Sequence, residues 1–553
     1  MNLLHKYLNR TDFKDYRDFA DNVKLNHVDQ FNFGYDVVDE YARIAPEKRA
    51  LVWCDKHGEE RIFTFADISK ESNKIANMLR AKGLKKGDFV MTMLNRRYEY
   101  YLVCVACCKL GLTLIPATYL LTEKDIEYRC NNAEVKALFC INEDEVIEYV
   151  NRATPYCTTL LYRFTVGTRD GFLDLHAEYE GCSDVLDLPL SERPALGDTM
   201  LVYFTSGTTG YPKMVAHDFK YPLGHIMTAY FWQAVVDDGL HFTSAESGWA
   251  KFSWGKIYGQ WLSGSAVFCY DYYGRFTPTD LLPLIGKYGI TSFCAPPTIY
   301  RFLIREDLSK YDFSSLVSCT TAGEPLNAEV SRQFYKATGL TIREGFGQTE
   351  SAVILATFRY CKAVPGSTGL PCPIYDLVLL DDNDEVVTGT DSVGEICIRL
   401  SNDQFGLLHG YHKDPERTQN ALGTGYYHTG DLATKDSEGY FWFVGRKDDI
   451  IKSSGYRIGP FEVESALQEH PAVLECAITG VPDPLRGQIV KATIILNKGY
   501  EPSDELVKEL QNHVKHATAP YKYPRVIEFV KELPKTISGK IKRTDIRKQD
   551  KKA

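Results

Sequence analysis

The sequence predicts an α/β protein: a large N-terminal domain of βαβ subdomains with a small β-barrel region, followed by a small α+β domain at the C-terminus. Three observations carry this reading. Between residues 60 and 300, helical patterns alternate with short apolar runs, as crossover units feeding a parallel sheet require. From about residue 364 the pattern changes to short strands separated by turn signals. After GRKDDIIKSSGYRIG it changes again, to helices and strands in a stretch of about a hundred residues, a size suited to a separate domain.

Taken in order, FADISKESNKIANMLRAKGL has apolar residues at helical spacing, and DFVMTML, ALFC, TMLVYFT and SAVFCY read as strands. Residues 100–121 are apolar enough to test as a membrane span, but Lys109, Gly111 and Pro116 interrupt them. A buried helix followed by the strand LTLIPA is the expectation. Cys104, Cys107 and Cys108 in that helix form a C-x-x-C with no second ligand pair at zinc spacing close by, so they read as packed thiols. DLVLLDDNDEVV, GEICIRL and GYFWFVG supply the antiparallel region. FEVESALQEH and DELVKELQNHVKHA are helices flanking the strands VLECAITGV and VKATIILN, and the basic end KIKRTDIRKQDKKA reads as a solvated tail.

At 553 residues the chain exceeds one compact core. With 64 basic against 73 acidic residues the net charge is −9, which removes any prior for nucleic-acid or anionic-membrane partners and favours small soluble ligands. The N-terminal MNLLHKYLNRTDFKDY has no apolar stretch long enough for a secretory signal, so a cytoplasmic location and reduced, buried cysteines are expected.

Residues 203–217 read YFTSGTTGYPKMVAH. The small residues Thr205, Ser206, Gly207, Thr208, Thr209 and Gly210 leave backbone N–H groups open, and Lys213 adds a positive charge, as phosphate binding needs. The spacing fails the Walker pattern, because Tyr211 and Pro212 separate glycine from lysine, and Pro212 argues against a helix starting directly beneath a phosphate. Behind this loop stand TAGEPLNAEV, EGFGQTES, YYHTGDLATKDSEGYFWFVGRKDDIIKSSGYRIGPFEVE and KTISGKIKR, in that order. Together the motifs resemble the adenylate-forming superfamily, and ESGWAKFSWGKIYGQWLSGSAVF, FCAPPTIYR and APYKYPR are most similar to its medium-chain acyl-CoA synthetases.

The resemblance implies a reaction in two steps, from a carboxylic acid, ATP and coenzyme A, with Mg²⁺. The loop from Thr205 to Lys213 would wrap the β- and γ-phosphates, Thr349 would meet the α-phosphate, and Glu350 would hold Mg²⁺. Adenine would lie between Gly323, Glu324, Pro325 and the segment Glu344, Gly345, Phe346, Gly347 and Gln348, with Phe346 stacking. Asp431 and Arg446 would take the ribose, and Lys540 would be the catalytic lysine. The domains implied are 1–447 and a mobile 448–553, hinged at Asp448. Ser454, Gly455, Tyr456, Arg457, Arg486 and Tyr523 are the coenzyme A candidates. Gly347 stands where similar acetyl-CoA synthetases carry a pocket-closing Trp, which implies room for an acid of four or more carbons. Trp249 reads equally as another wall of that pocket or as plain core, and Lys251 beside it either as a cation approaching the substrate carboxylate or as a structural one. Two alternatives stay open: an enzyme loading a separate carrier protein, and a nucleotide-binding relative that has lost turnover.

Overall fold

The computed structural model describes residues 2–205, 212–274, 276–401, 404–454, 456–536 and 541–550, and four β-sheets organise them. In an eight-stranded sheet, Phe89–Met93 pairs in parallel with Thr113–Pro116 and Val135–Cys140, and Thr113–Pro116 adjoins Thr199–Thr205. Thr199–Thr205 then pairs antiparallel with Lys213–Asp218, with Thr205 opposite Lys213. The expected phosphate segment therefore joins two strands of a hairpin; no helix follows it, in line with Pro212. A nine-stranded sheet is parallel through Arg49–Asp55, Ala266–Asp271, Leu240–Thr243, Ser292–Cys294, Ser318–Ala322 and Ile342–Phe346.

The helix Glu99–Leu110 is buried at every position and ends on Gly111 at φ +69°, a left-handed cap that glycine takes without a Cβ penalty. Lys109 in its last turn is buried too. Its ammonium donates to Asp39 Oδ1 and Asn73 Oδ1 at 2.6 Å and to Ser72 Oγ at 3.3 Å, which uses all three of its donors. Cys104, Cys107 and Cys108 are buried free thiols, as expected. Among the described residues no helix is long and apolar enough to cross a membrane.

The region expected as a small barrel takes the form of a four-stranded antiparallel sheet, in the order Asp376–Leu380, Gly394–Arg399, Tyr426–Lys435, Phe441–Arg446. The C-terminal part has a five-stranded sheet led by Val473–Asp483 and Gly487–Leu496, with the helices Pro460–Gln468 and Asp504–Ala517. Its core, including Ile458, Val463, Ile478, Ile494 and Leu510, is a cluster of its own.

The basic end departs from expectation. Residues Arg543–Asp550 form a helix that docks through buried Ile546. Arg543 bonds both oxygens of Glu464, at 2.6 and 2.8 Å, and Arg547 reaches Asp449 at 2.8 Å. A run of basic residues reads as solvated because its partners, Glu464 and Asp449, lie far away in sequence. Truncating one member of a well-shielded pair costs about 3 kcal/mol. Arg543→Ala should therefore lower the unfolding midpoint measured by calorimetry, whereas Lys548→Ala, at an exposed position, should leave it in place.

Candidate active site

Three of the segments expected to take the nucleotide lie at the carboxyl ends of strands. Thr205 ends Thr199–Thr205, Gly323 follows Ser318–Ala322, and Gly347 follows Ile342–Phe346. Crevices at these ends are where open α/β sheets bind ligands. The two large sheets bring these ends together.

Lys213 Nζ lies 2.7 Å from Glu350 Oε1, and the Tyr411 hydroxyl both accepts from Lys213, at 3.2 Å, and donates to the same Glu350 oxygen, at 3.1 Å. His217, buried on the same strand as Lys213, donates from Nε2 to the Thr349 carbonyl at 2.8 Å. Burial lowers its pKa to about 4, so the imidazole is a neutral positioning group at physiological pH. Gln348 donates to the Thr429 carbonyl at 2.8 Å and to Asp431 Oδ2 at 2.5 Å, and accepts from the Tyr427 hydroxyl at 2.6 Å. Arg446 closes the series, 3.3 Å from Asp431 Oδ2. One hydrogen-bonded chain thus runs from Lys213 through the segment Gln348–Glu350 to Asp431 and Arg446.

Gly323 has φ +97°, and a Cβ there would lie 2.3 Å from Lys251 Nζ. Lys251 therefore lies across the segment expected to take adenine. Glu324 beside it accepts from Thr298 and Arg301, and Pro325 leads to Leu326, whose N–H donates to Glu344 Oε2 at 3.2 Å. The Gly345 backbone packs against the indole of Trp232, and Phe346 stands 6.4 Å from the Phe443 ring.

The coenzyme A candidates form a second group. Tyr456 stacks on Tyr521 at 4.1 Å, and Ser454, at φ +50°, donates its N–H to the Arg486 carbonyl. Arg457 is bonded to Asp382 at 2.6 Å, and the Tyr523 hydroxyl accepts from Arg525 at 2.6 Å. Ser206, Gly207, Thr208, Thr209, Gly210, Gly455 and Lys540 lie outside the described residues.

Gly347 is closely packed: a Cβ there would lie 2.3 Å from Trp254 Cη2 and 2.7 Å from the Ala352 carbonyl oxygen, so the indole of Trp254 stands over this glycine. Trp254 belongs to the helix Ala250–Gly255, so the indole reaches this position from another segment, which a comparison confined to EGFGQTE cannot see. Tyr411 and His217 were also missed. Only the pairing of Gly410–Tyr411 with Val215 and Ala216 brings Tyr411 to Lys213, and no local pattern signals it.

The arrangement fits a magnesium ion. Glu350 Oε1 is taken by Lys213 and Tyr411, and among the described residues Oε2 has no hydrogen bond, so one hard carboxylate oxygen remains to share a cation with substrate phosphates.

Glu344 is buried, and burial raises its pKa from the ordinary 4.5 to about 8. A folded pKa above the unfolded one means that the native state loses stability as pH rises from about 4.5 through about 8. Glu344→Gln keeps an acceptor for the Leu326 N–H and removes the ionisation. Thermal unfolding followed by circular dichroism should show the variant more stable than the parent at pH 9, with the difference shrinking towards pH 5.

Family models match the chain as "AMP-binding enzyme" over residues 38–412 and "AMP-binding enzyme C-terminal domain" over residues 462–540. The chain is 41% identical to "Acyl-coenzyme A synthetase ACSM3, mitochondrial" from Homo sapiens, with 99% of this chain and 95% of that protein covered. Among solved structures it is similar to the anthranilate CoA ligase AuaEII in complex with anthranoyl-AMP, at TM-score 0.86 and 28% identity, covering 95% of this chain and 98% of that one. It is also similar to an acyl-CoA synthetase of Brucella canis, at TM-score 0.71 and 31% identity, with 95% of each chain covered. With a family model over residues 38–412 and 41% identity across nearly the whole chain, the protein belongs to the adenylate-forming family of AMP-binding enzymes, alongside the acyl-coenzyme A synthetases.

Proposed function

We propose that this chain is an ATP-dependent acyl-CoA synthetase acting on a carboxylic acid of four or more carbons. The observation that carries the reading is the continuous contact from Lys213 through Glu350 and Gln348 to Asp431 and Arg446, which arranges a phosphate cation, a metal carboxylate and ribose acceptors in one line. In the first step a carboxylate oxygen bonds to the α-phosphorus of ATP as the bond to pyrophosphate breaks. In the second, the coenzyme A thiol loses its proton and attacks the acyl carbonyl, and AMP leaves.

Neither step needs a protein nucleophile; both need fixed charge where negative charge gathers. In this reading Lys213 exchanges Glu350 for phosphate oxygens when the nucleotide enters. Glu350 would then hold Mg²⁺, which would supply positive charge against the phosphates, and Thr349, braced by His217, would meet the α-phosphate. Asp431 accepts from the ribose hydroxyls, and Arg446 steadies Asp431. The assignments of Lys540 as the lysine that spans carboxylate and phosphate, of residues 448–553 as a rotating domain, and of the coenzyme A group are part of the proposal. The stacked pair Tyr456 and Tyr521 offers an aromatic surface that supports a nucleotide-binding face there. A cytoplasmic location is also proposed, although the curated relative above is named mitochondrial.

Pyrophosphate release and acyl-CoA formation, measured separately, test this. Lys540→Ala should slow adenylation by about 10²–10³, the scale of losing one preorganised donor, while leaving thioester formation from preformed acyl-adenylate nearly intact. Equal loss in both half-reactions would sink the assignment. Pyrophosphate release with no acyl-CoA product would point to carrier-protein loading.

For acid length, Trp254 replaces Gly347 as the position to test. Each methylene that finds an apolar wall gains about 0.8 kcal/mol, roughly fourfold in kcat/KM. Trp254→Leu should shift kcat/KM towards longer acids across butyrate, hexanoate and octanoate. An unchanged ratio would remove Trp254 from the pocket wall.

A further inference from the structure

The four-stranded sheet carries a set of donor atoms that the proposed reaction does not use. Glu395 and Cys397 are two positions apart on the strand Gly394–Arg399 and so share a face of its pleat. His428 is the cross-strand partner of Cys397. A carboxylate oxygen, a sulfur and an imidazole nitrogen fall within 4.8 Å of one another. His428 Nδ1 is 3.4 Å from Cys397 Sγ and 3.5 Å from Glu395 Oε2. Around a tetrahedral zinc ion, with Zn–S about 2.3 Å and Zn–N about 2.0–2.1 Å, neighbouring donors stand roughly 3.3–3.6 Å apart. These two spacings are therefore already close to those a metal would impose.

A cation already occupies this corner. Lys447 Nζ lies 2.9 Å from Glu395 Oε2, while Glu395 Oε1 accepts from the Gly430 N–H at 2.9 Å. A cavity of about 270 Å³ opens onto Glu395 and Lys447; it is also lined by Asp381, by Asp382 and by Arg457, which is paired with Asp382 at 2.6 Å, so a positive ion can reach Glu395 from this side. Asp384 stands 4.0 Å from the far nitrogen of His428. The set mixes oxygen, sulfur and nitrogen donors, which selects zinc over calcium or magnesium.

We propose that Glu395, Cys397 and His428 form a binding site for a thiophilic divalent cation such as Zn²⁺, which competes with the Lys447 ammonium for Glu395. As the metal–sulfur bond forms, the Cys397 thiol releases its proton to solvent. The site is not part of the catalytic machinery, yet it touches it: Glu395 accepts from the N–H of Gly430, the strand residue before Asp431, and Lys447 follows Arg446 directly. Occupancy would release Lys447 beside one of the two proposed ribose contacts.

The test is a titration of chelator-treated, full-length protein with Co²⁺. The expected result is a near-ultraviolet thiolate-to-cobalt charge-transfer band, with the intense visible bands of tetrahedral Co²⁺, saturating at one equivalent and displaced by Zn²⁺. Cys397→Ser should abolish the charge-transfer band. His428→Gln, at a partly exposed position where misfolding is a smaller risk, should weaken binding by more than the roughly tenfold lost with an outer-shell partner. Lys447→Met should tighten it. A parent protein without the charge-transfer band, a band that persists in Cys397→Ser, or the weak spectrum of six-coordinate cobalt on surface carboxylates would each overturn the proposal.

Discussion

The pairing of Lys213 with Glu350 is the contact on which the rest of the site depends, because its two members belong to different sheets. Lys213 opens a strand of the eight-stranded sheet, and Glu350 follows a strand of the nine-stranded one. The joint is reinforced on either side. His217 bonds the Thr349 carbonyl, the Leu408 N–H donates to the Glu350 carbonyl at 2.7 Å, and the Ala352 N–H donates to the Gly406 carbonyl at 2.6 Å. A shielded ion pair adds little net stability once desolvation is counted. What it secures here is position. The lysine is kept extended beside a carboxylate, where an incoming phosphate can compete for it without first having to order a free side chain.

Much of this was legible in the sequence, and the limits are physical. The buried helix Glu99–Leu110, the parallel strands and the C-terminal α+β unit follow from periodicity, which is a local property of the chain. Thr349, Glu350, Gln348, Asp431 and Arg446 were found by motif, and the described residues bring them together. Tyr411 could not be found that way, since it owes its place to an edge strand laid beside Lys213–Asp218. Nor could the docking of Arg543 on Glu464, or of Trp254 over Gly347, because each joins segments whose separate patterns mean nothing special. Local signals announce elements; contacts between distant elements decide which surfaces remain open.

Residues 446–449 form a short clasp. Arg446 faces Asp431, and Lys447 is bonded to Glu395, both in the N-terminal part. Asp449, two positions on, is held by Arg543 and Arg547 of the C-terminal helix. Asp448 lies between these anchored neighbours, its side chain 3.6 Å from Arg446 Nε. If the two parts move relative to each other, the change in backbone dihedrals is confined to very few bonds, as hinges require. The terminal helix then matters beyond its own packing, because it fixes one side of the pivot.

The Trp254 indole over Gly347 has a different kind of consequence. The segment Gly347–Glu350 carries the groups assigned to phosphate and metal, and its carbonyls are held by His217 at Thr349 and by the Leu408 N–H at Glu350. A wall contributed from that segment would tie substrate choice to catalytic geometry. Here the bulk comes from the helix Ala250–Gly255, a separate stretch of chain. In the proposed reading, substitutions at Trp254 reshape the cleft while the bonds among Lys213, Glu350, Gln348 and Asp431 stay as they are. The lineage could then drift between acids by mutating a residue outside the segment that carries the phosphate and metal groups, so substrate range would be evolvable on its own.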